Sequence, residues 1–341
     1  MNKLDEQTLG RILAEFRNQI GQTGSEVVPY LKASLRGTGY SYWSTNRISL
    51  VEKNQTSRPE IEILRAFSDF YRLTPWEYTV LLRAADYPPT EEQLHEMRLN
   101  VSPILAEIGV PSYVLNYRYE LVLWNDAFAQ LYDPAPPTFA GTMMREQLRE
   151  DIENPREVWR EEVNALTEGA NSPAGNQSSL DSPLQLQVGM PYFLFLWSRQ
   201  GRFRQQTAHE EWERVVDFVL VRFWRTVKPL IQPHWNLTPE GEPGEPEWLH
   251  NVIRRLSNLP APDGQDFAER SQRTRALLGS DRRDKQVQLL RNRLYDRLFF
   301  RQGRLRFQWV NSEMEDARFT LVQHFPIEQS VTMPLPFRQP W

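Results

Sequence analysis

The chain has 341 residues, of which 40% are apolar and 25% are charged, with a formal net charge of −4 and no cysteine. This composition is typical of a globular protein with two or three domains, and the lack of cysteine excludes disulfides, thiol catalysis and zinc fingers. Apolar runs such as Met190–Trp197 are too short to cross a bilayer, and the N-terminus lacks the apolar stretch of a signal peptide. These features predict a cytoplasmic protein that does not enter a membrane.

Apolar residues recur at helical spacing through the first 90 residues. The pattern predicts five short helices, at residues 4–20, Ser25–Leu35, 44–53, Ile61–Tyr71 and Pro75–Ala85. Thr74 is the expected N-cap of the fifth helix, with Pro75 at its first position. Five short helices in this length of chain predict a compact, all-helical N-terminal domain.

The third helix carries the most informative pattern. Ser44 is its expected N-cap, Ile48 and Val51 face inward, and Asn54 ends the helix in a left-handed conformation. The first turn then offers polar side chains outward, as in helices that enter the major groove, where Asn pairs with adenine and Arg with guanine. The exposed polar face of an ordinary small bundle would show the same pattern.

Local charge supports a nucleic-acid contact only modestly. Residues 11–58 hold seven Lys and Arg against three acidic residues, and cations near phosphates supply much of the affinity for DNA. Residues 1–90 as a whole are close to neutral, with eleven basic and ten acidic residues. A solvated helix face would also account for these charges.

The pattern changes after a predicted connecting helix, Glu91–Leu99. Two short strands, Pro111–Asn116 and Glu120–Trp124, precede a helix that begins at Asp126. Residues 133–188 are rich in Pro, Gly, Ser and Asn around one helical segment, Arg156–Leu166, and predict a loop-rich insertion.

The last third of the chain mixes helices and strands. The helical spacing predicts the amphipathic helix His209–Val227, two helices at about 247–258 and 265–278, and a helical start to Lys285–Phe300. The alternating segments predict three terminal strands, Leu305–Val310, Phe319–Phe325 and Ser330–Leu335.

The first 90 residues resemble the XRE-type helix-turn-helix of phage-repressor domains. The resemblance rests on Ser44-Thr-Asn-Arg-Ile-Ser-Leu-Val-Glu-Lys-Asn, followed by Arg58-Pro, Ile63-Leu-Arg-Ala-Phe and Leu73-Thr-Pro. It implies that helix three reads DNA with its polar face, with Ile48 and Val51 in the core and Glu52 structural. The implied DNA-binding residues are Ser44, Thr45, Asn46, Arg47 and Ser49, with Lys32, Arg36 and Lys53 near phosphates. The link at about 33–42 is longer than is usual in this family.

Residues 100–341 are similar to the PAS-like ligand-binding domain of MmyB-like transcription regulators. The similarity rests on Val110-Pro-Ser-Tyr-Val-Leu-Asn-Tyr-Arg-Tyr-Glu-Leu-Val-Leu-Trp-Asn-Asp-Ala-Phe, Tyr192-Phe-Leu-Phe-Leu and Glu211-Trp-Glu-Arg-Val-Val. It implies a one-component bacterial regulator whose sensor pocket holds an apolar small molecule, with a long-chain fatty acid as the preferred ligand.

The C-terminal region is rich in aromatic residues, and an apolar ligand pocket would be lined by some of them. Most of them must fill the core, and composition does not reveal a cavity. Arg222, Arg225 and Tyr192 are candidate partners for a ligand carboxylate. The candidate ligand-binding residues are Tyr113, Trp124, Tyr192, Phe195, Phe218, Arg222, Phe223, Phe307, Trp309 and Phe319.

An enzyme is not expected from this sequence. The five histidines are scattered without metal-ligand spacing, at His95, His209, His234, His250 and His324. No Gly-rich phosphate loop follows a predicted strand. We therefore expect no catalytic residue, no metal site and no cofactor other than the bound apolar ligand.

Together the patterns predict an α+β multidomain protein. A five-helix helix-turn-helix domain at 1–90 is joined by a connecting helix at 91–100 to a PAS-like domain at 101–341, an antiparallel sheet with covering helices. One hypothesis is a transcriptional regulator that binds double-stranded operator DNA as a homodimer and senses the small molecule. The other is a small-molecule-binding protein whose degenerate helix-turn-helix mediates protein interactions.

Overall fold

The computed structural model describes residues 7–40, 42–132, 189, 191–197, 202–232, 234–235, 244–259, 262–279, 299–302 and 305–327. The predicted insertion at 133–188, its helix Arg156–Leu166 and the predicted strand Ser330–Leu335 lie outside these residues. Within the described residues, a helical N-terminal region precedes an antiparallel sheet with helices, which is an α+β architecture.

Five helices form the N-terminal bundle. They are α1 (Leu9–Gln19), α2 (Gly24–Ser34), α3 (Thr45–Glu52), α4 (Ile61–Tyr71) and α5 (Pro75–Ala84). Their apolar stripes meet in one core, in which Leu13, Val27, Leu64 and Leu81 are fully buried. The five predicted helices are thus confirmed, and their short length is typical of helices that need tertiary packing to persist.

Local capping sets where these helices begin. The Ser44 hydroxyl accepts a hydrogen bond from the Arg47 N–H at 3.2 Å, and Thr74 forms a reciprocal capping box with Glu77. Helix α2 begins after Thr23, not after Ser25 as predicted, because the Glu26 carboxylate accepts from the Thr23 N–H at 2.6 Å.

Helix α6 (Glu91–Glu107) is longer than the predicted connecting helix and continues through Pro103. The proline removes one backbone donor, but Met97 and Leu105 on this helix are buried against Val114 and Val122 of the sheet. This burial outweighs the missing hydrogen bond. The predicted domain boundary at residue 101 therefore falls inside a continuous helix.

Within the described residues, five antiparallel strands form the sheet in the order β2-β1-β5-β4-β3. They are β1 (Ser112–Asn116), β2 (Leu121–Trp124), β3 (Phe299–Gln302), β4 (Leu305–Glu313) and β5 (Phe319–Ile327). The segment Lys285–Phe300, predicted to begin as a helix, ends in a strand, since Phe299 and Phe300 pair with Gln308 and Phe307 of β4. Its predicted helical start lies outside the described residues. Pairing with the neighbouring strand β4 makes residues 299–302 a strand, and local periodicity does not reveal such a partner.

Both faces of the sheet are covered at β1. Tyr113 and Leu115 face one core, while Val114 between them faces the core beneath α6. Alternate residues of a strand point to opposite faces, so burial on both sides explains why all five residues of β1 are buried.

The remaining described helices lie on the sheet face opposite α6. They are α7 (Asp126–Tyr132), α8 (Tyr192–Trp197), α9 (Arg202–Gln206), α10 (His209–Val227), α11 (Glu247–Ser257) and α12 (Asp263–Gly279). Helix α10 has the predicted bounds, and Arg270 of α12 pairs with Asp217 on it at 3.0 Å. Among the described helices, none has the length and apolar character needed to span a membrane.

Candidate functional site

The polar first turn of α3 lies at the protein surface. Thr45 and Asn46 are exposed, Ser49 is half-buried, and Ile48 and Val51 on the opposite side are buried in the bundle core. Three basic side chains that the sequence predicts near phosphates, Lys32, Arg36 and Lys53, are also exposed. The surface of α3 therefore combines hydrogen-bonding groups with nearby cations.

The opposite end of α3 is fixed rigidly to α1. Glu52 accepts two hydrogen bonds from the Arg17 guanidinium, at 2.6 and 3.0 Å. Asn54, which has a φ of 55°, accepts from the Gly10 N–H at 3.0 Å and donates to Thr8 Oγ1 at 2.8 Å. These contacts hold the axis of α3 in place, so the exposed first turn projects from a defined position.

Arg47 does not project outward as the resemblance implies. Its guanidinium donates to the Tyr42 carbonyl at 2.9 Å and lies 4.9 Å from the centre of the Trp43 ring. The stacking and the hydrogen bond direct the side chain back toward the preceding loop. A contact from Arg47 to a base would first need these interactions to be released.

The connection between α2 and α3 is the ten-residue segment 35–44, longer than the three or four residues usual in a helix-turn-helix. Leu35 and Trp43 anchor it in the bundle core, where Trp43 makes an edge-on contact with Phe67 at 5.7 Å. Tyr42 beside this anchor is 78% exposed. The long connection is thus tied down near both ends.

A cavity of about 420 Å³ lies between α5, the sheet and α10. Four of the predicted ligand-binding residues line it, namely Phe218, Arg222, Trp309 and Phe319. The structure adds two residues of the bundle, Trp76 and Arg83, which sequence reasoning missed. No local signal marks them, since their positions on α5 matter only through the docking of the bundle on the sheet.

The other predicted ligand residues do not line this cavity. Trp124 is buried at the sheet edge, and five aromatic residues pack within the core, namely Tyr113, Tyr192, Phe195, Phe223 and Phe307. Arg225, a predicted carboxylate partner, is likewise buried away from the cavity. These positions follow from side-chain directions along strand and helix, which the aromatic content does not report.

Titratable groups sit inside this aromatic core. His324 is fully buried among Tyr113, Phe128, Phe307 and Trp309, and its burial lowers its pKa from 6.5 to about 3. Burial also raises the pKa of Tyr192, whose ring stacks on Tyr113 at 5.2 Å. Both groups are therefore uncharged at neutral pH.

The sequence predicted an apolar ligand pocket, but the lining of the observed cavity is more polar than that. Besides Tyr117 and Tyr119, six uncharged polar side chains among the described residues line it, namely Asn116, Thr226, Gln308, Asn311, Ser312 and Thr320. In the part of the chain that the structure describes, two guanidinium groups, from Arg83 and Arg222, share the lining with one carboxylate, Glu313. A ligand here needs polar groups as well as an apolar body.

Asp86 is the second feature that sequence reasoning missed. It follows α5 with a φ of 56°, is only 6% exposed, and its carboxylate accepts hydrogen bonds from three residues in two other parts of the chain. The Tyr117 hydroxyl donates to Asp86 at 2.7 Å, Arg118 Nη2 at 3.1 Å, and Trp248 Nε1 at 3.0 Å. These three residues, together with Asp86, are called the Asp86 joint below.

The described residues contain no group of His, Asp and Glu side chains arranged to hold a metal ion. No protein-family model matches the chain, and no curated protein matches it. The features of the described residues that bear on function are the α3 surface, the cavity and the Asp86 joint.

Proposed function

We propose that this protein is a one-component transcriptional regulator that binds operator DNA through α3 and binds a small molecule in the cavity beneath the bundle. The observation that carries the proposal is the contrast between the two ends of α3. Its polar first turn is exposed at Thr45 and Asn46, while Glu52 at the other end is fixed to Arg17. A recognition helix needs both an accessible face and a fixed orientation.

The chemistry of the α3 surface suits a major groove. Asn46 offers the amide that pairs with adenine, and the backbone N–H groups at the N-terminus of α3, beside Ser44, suit a phosphate. Lys32, Arg36 and Lys53 would contact phosphates, which position the protein without reading sequence. One such helix reads only a few base pairs, so we propose a homodimer on a two-fold operator.

The cavity supports the ligand part of the proposal. Its volume of about 420 Å³ lies within the usual range for small-molecule pockets, and Phe218, Trp309 and Phe319 supply apolar walls. A long-chain fatty acid remains the preferred ligand because it joins an apolar chain to a carboxylate that Arg222 can bind. The polar lining favours ligands that carry such a group over wholly apolar ones.

One observation favours the alternative hypothesis that the bundle is a protein-interaction module. The ten-residue connection before α3 exposes Tyr42, and aromatic side chains are enriched at protein interfaces. In this alternative the cavity still binds a small molecule, but α3 does not contact DNA.

A gel shift with a duplex from upstream of the gene, supplemented by selection from a random duplex library, tests the DNA proposal. We expect the double variant Asn46→Ala, Arg47→Ala to bind the selected duplex at least tenfold more weakly, since a good base contact contributes about 1–3 kcal/mol. The matched control is Asn100→Ala, Arg214→Ala, which removes the same residue types from exposed positions on α6 and α10. Wild-type protein that selects no sequence, or equal binding by both double variants, would contradict the proposal.

A further inference from the structure

The cavity is built from two parts of the chain that pack against each other. Trp76 and Arg83 belong to the bundle, whereas Phe218 and Arg222 belong to α10 and Trp309 belongs to the sheet. The cavity therefore has all its walls only while the bundle is docked on the sheet.

Direct hydrogen bonds hold the bundle to the β4–β5 turn next to the cavity. Arg83 Nη1 donates to the Ala317 carbonyl at 2.9 Å, and the Ala317 N–H donates to Thr79 Oγ1 at 2.9 Å. Ala317 is itself buried in the bundle core and lines the cavity. Arg83 and Ala317 thus belong both to the docking surface and to the cavity wall.

The Asp86 joint stabilises the same docked arrangement from a short distance away. Tyr117 lines the cavity and donates to Asp86, but Asp86, Arg118 and Trp248 are not part of the lining. The Arg118 guanidinium also lies 5.0 Å from the centre of the Trp248 ring. Because a buried carboxylate is costly without donors, the three donors strongly favour one docked geometry.

The charges of the cavity indicate the class of ligand. Among the described residues of the lining, Arg83 and Arg222 contribute two guanidinium groups against the one carboxylate of Glu313, and aromatic walls flank them. An anion with an aromatic or aliphatic body satisfies both features, because a guanidinium binds a carboxylate or sulfonate through charge-assisted hydrogen bonds.

We propose that the cavity binds an anionic amphiphile only while the bundle is docked, so that the ligand and the Asp86 joint stabilise the same arrangement of bundle and sheet. A ligand that contacts both parts must shift their docking equilibrium toward the docked state. Coupling to DNA rests on the proposed function, since the ligand would then govern how α3 is placed relative to the sheet. Docking itself does not depend on whether α3 binds DNA.

The test uses 1-anilinonaphthalene-8-sulfonate, an anionic aromatic probe, with the full chain. We expect saturable binding of one probe per chain in a fluorescence titration, with at least fivefold weaker binding in Trp76→Ala and in Arg222→Gln. Decanoate should displace the probe, and its uncharged methyl ester should displace it at least tenfold less effectively. Arg214→Gln, on the exposed surface of α10, serves as the control and should bind as the wild type does.

Amide hydrogen exchange measures docking separately from binding. At 100 times its dissociation constant, the probe should slow exchange in α5 and in the β4–β5 turn by about 100-fold if undocked protein does not bind it. Without the probe, Asp86→Asn should speed exchange in these two segments at least tenfold. Trp248→Phe, which removes a single donor, should speed exchange in the same segments at least threefold. This variant provides the test if Asp86→Asn does not fold.

The outcomes separate this inference from the proposed function. Two results would overturn the inference even if the protein binds DNA. One is a Trp76→Ala variant that binds the probe with wild-type affinity, and the other is a probe that slows amide exchange in the sheet and α10 but not in α5. Protection of α5 in a protein that selects no DNA sequence would support the inference and contradict the proposed function.

Discussion

The hydroxyl of Tyr117 donates a 2.7 Å hydrogen bond to the carboxylate of Asp86, joining the turn after β1 to the turn after α5. Tyr117 is 4% exposed and Asp86 is 6% exposed. Burial, and then the nearby charge of Asp86, raise the pKa of Tyr117 well above 10. The tyrosine therefore stays protonated and acts as a donor throughout the pH range in which proteins are usually studied.

We expect Tyr117→Phe to lower the free energy of unfolding by about 1–3 kcal/mol, because it leaves a buried carboxylate with one donor fewer. Urea denaturation at neutral pH measures this change. Tyr42→Phe is the matched control, because Tyr42 is 78% exposed and its loss of a hydroxyl should cost less than about 0.5 kcal/mol. Equal stability of the two variants would show that the Tyr117 hydroxyl contributes nothing to the Asp86 joint.

Gly10 on α1 allows the close approach of α3. A Cβ at this position would lie 2.6 Å from the Val51 carbonyl oxygen and would also clash with the carbonyl of Glu52. Since both atoms belong to the backbone, we expect Gly10→Ala to destabilise the protein by about 1–3 kcal/mol through overpacking, and to weaken DNA binding if α3 is displaced. Thermal unfolding followed by circular dichroism measures the loss of stability.

Gly39→Ala is the control for this substitution. The space around Gly39 is open, with no atom within 4 Å of the added Cβ. We expect it to leave the melting temperature nearly unchanged or slightly raised, since alanine restricts the unfolded chain more than glycine does. A Gly10→Ala protein as stable as Gly39→Ala would disprove the backbone contact.

His324 should make stability depend on pH. Its pKa is about 3 in the folded protein and 6.5 ordinarily, so the unfolded chain binds the extra proton between these values. Stability should therefore fall as the pH drops through this window, by about 2 kcal/mol between pH 7 and pH 5 from this residue alone.

The variant His324→Phe keeps an aromatic ring in the aromatic core and should remove this part of the pH dependence. Urea denaturation at pH 7 and pH 5 gives the comparison, with His95→Gln on the exposed surface of α6 as the control. If the free energy of unfolding falls as much between pH 7 and pH 5 in His324→Phe as in the control, His324 is not held neutral by burial.

Lys32 and Arg36 should contribute to DNA affinity without contributing to its sequence preference. Each alanine substitution should weaken binding to all duplexes alike and reduce the slope of log affinity against log salt by about 0.9 per lost phosphate contact. Fluorescence anisotropy across a salt series measures both quantities. An unchanged slope in the double variant would place these two side chains away from the DNA.

The local elements were predictable from the sequence because their causes are local. The polar cap at Ser44, the box formed by Thr74 and Glu77, and the apolar stripe of α10 each involve residues within a few positions of one another. For the same reason the left-handed stop at Asn54 was foreseen, with a φ of 55°. The α+β class followed from these elements.

The candidate site was only partly predictable. Phe218, Arg222, Trp309 and Phe319 were chosen for their chemistry and do line the cavity, but the same reasoning also selected residues that fill the core. Composition shows that large aromatic side chains are present. It does not show which of them have space beside them, since that depends on how α5 and α10 meet the sheet.

By itself, the sequence determined where most helices lie and which face of α3 is polar, since helical periodicity and capping act within one or two turns of chain. The tertiary structure decided that Phe299 and Phe300 join a strand, that α6 continues past Pro103, and that α5 closes the cavity. It also brought Trp248 to Asp86 across 162 positions of sequence. Such contacts have no local signature, because they form only when the packing of the whole chain buries both partners together.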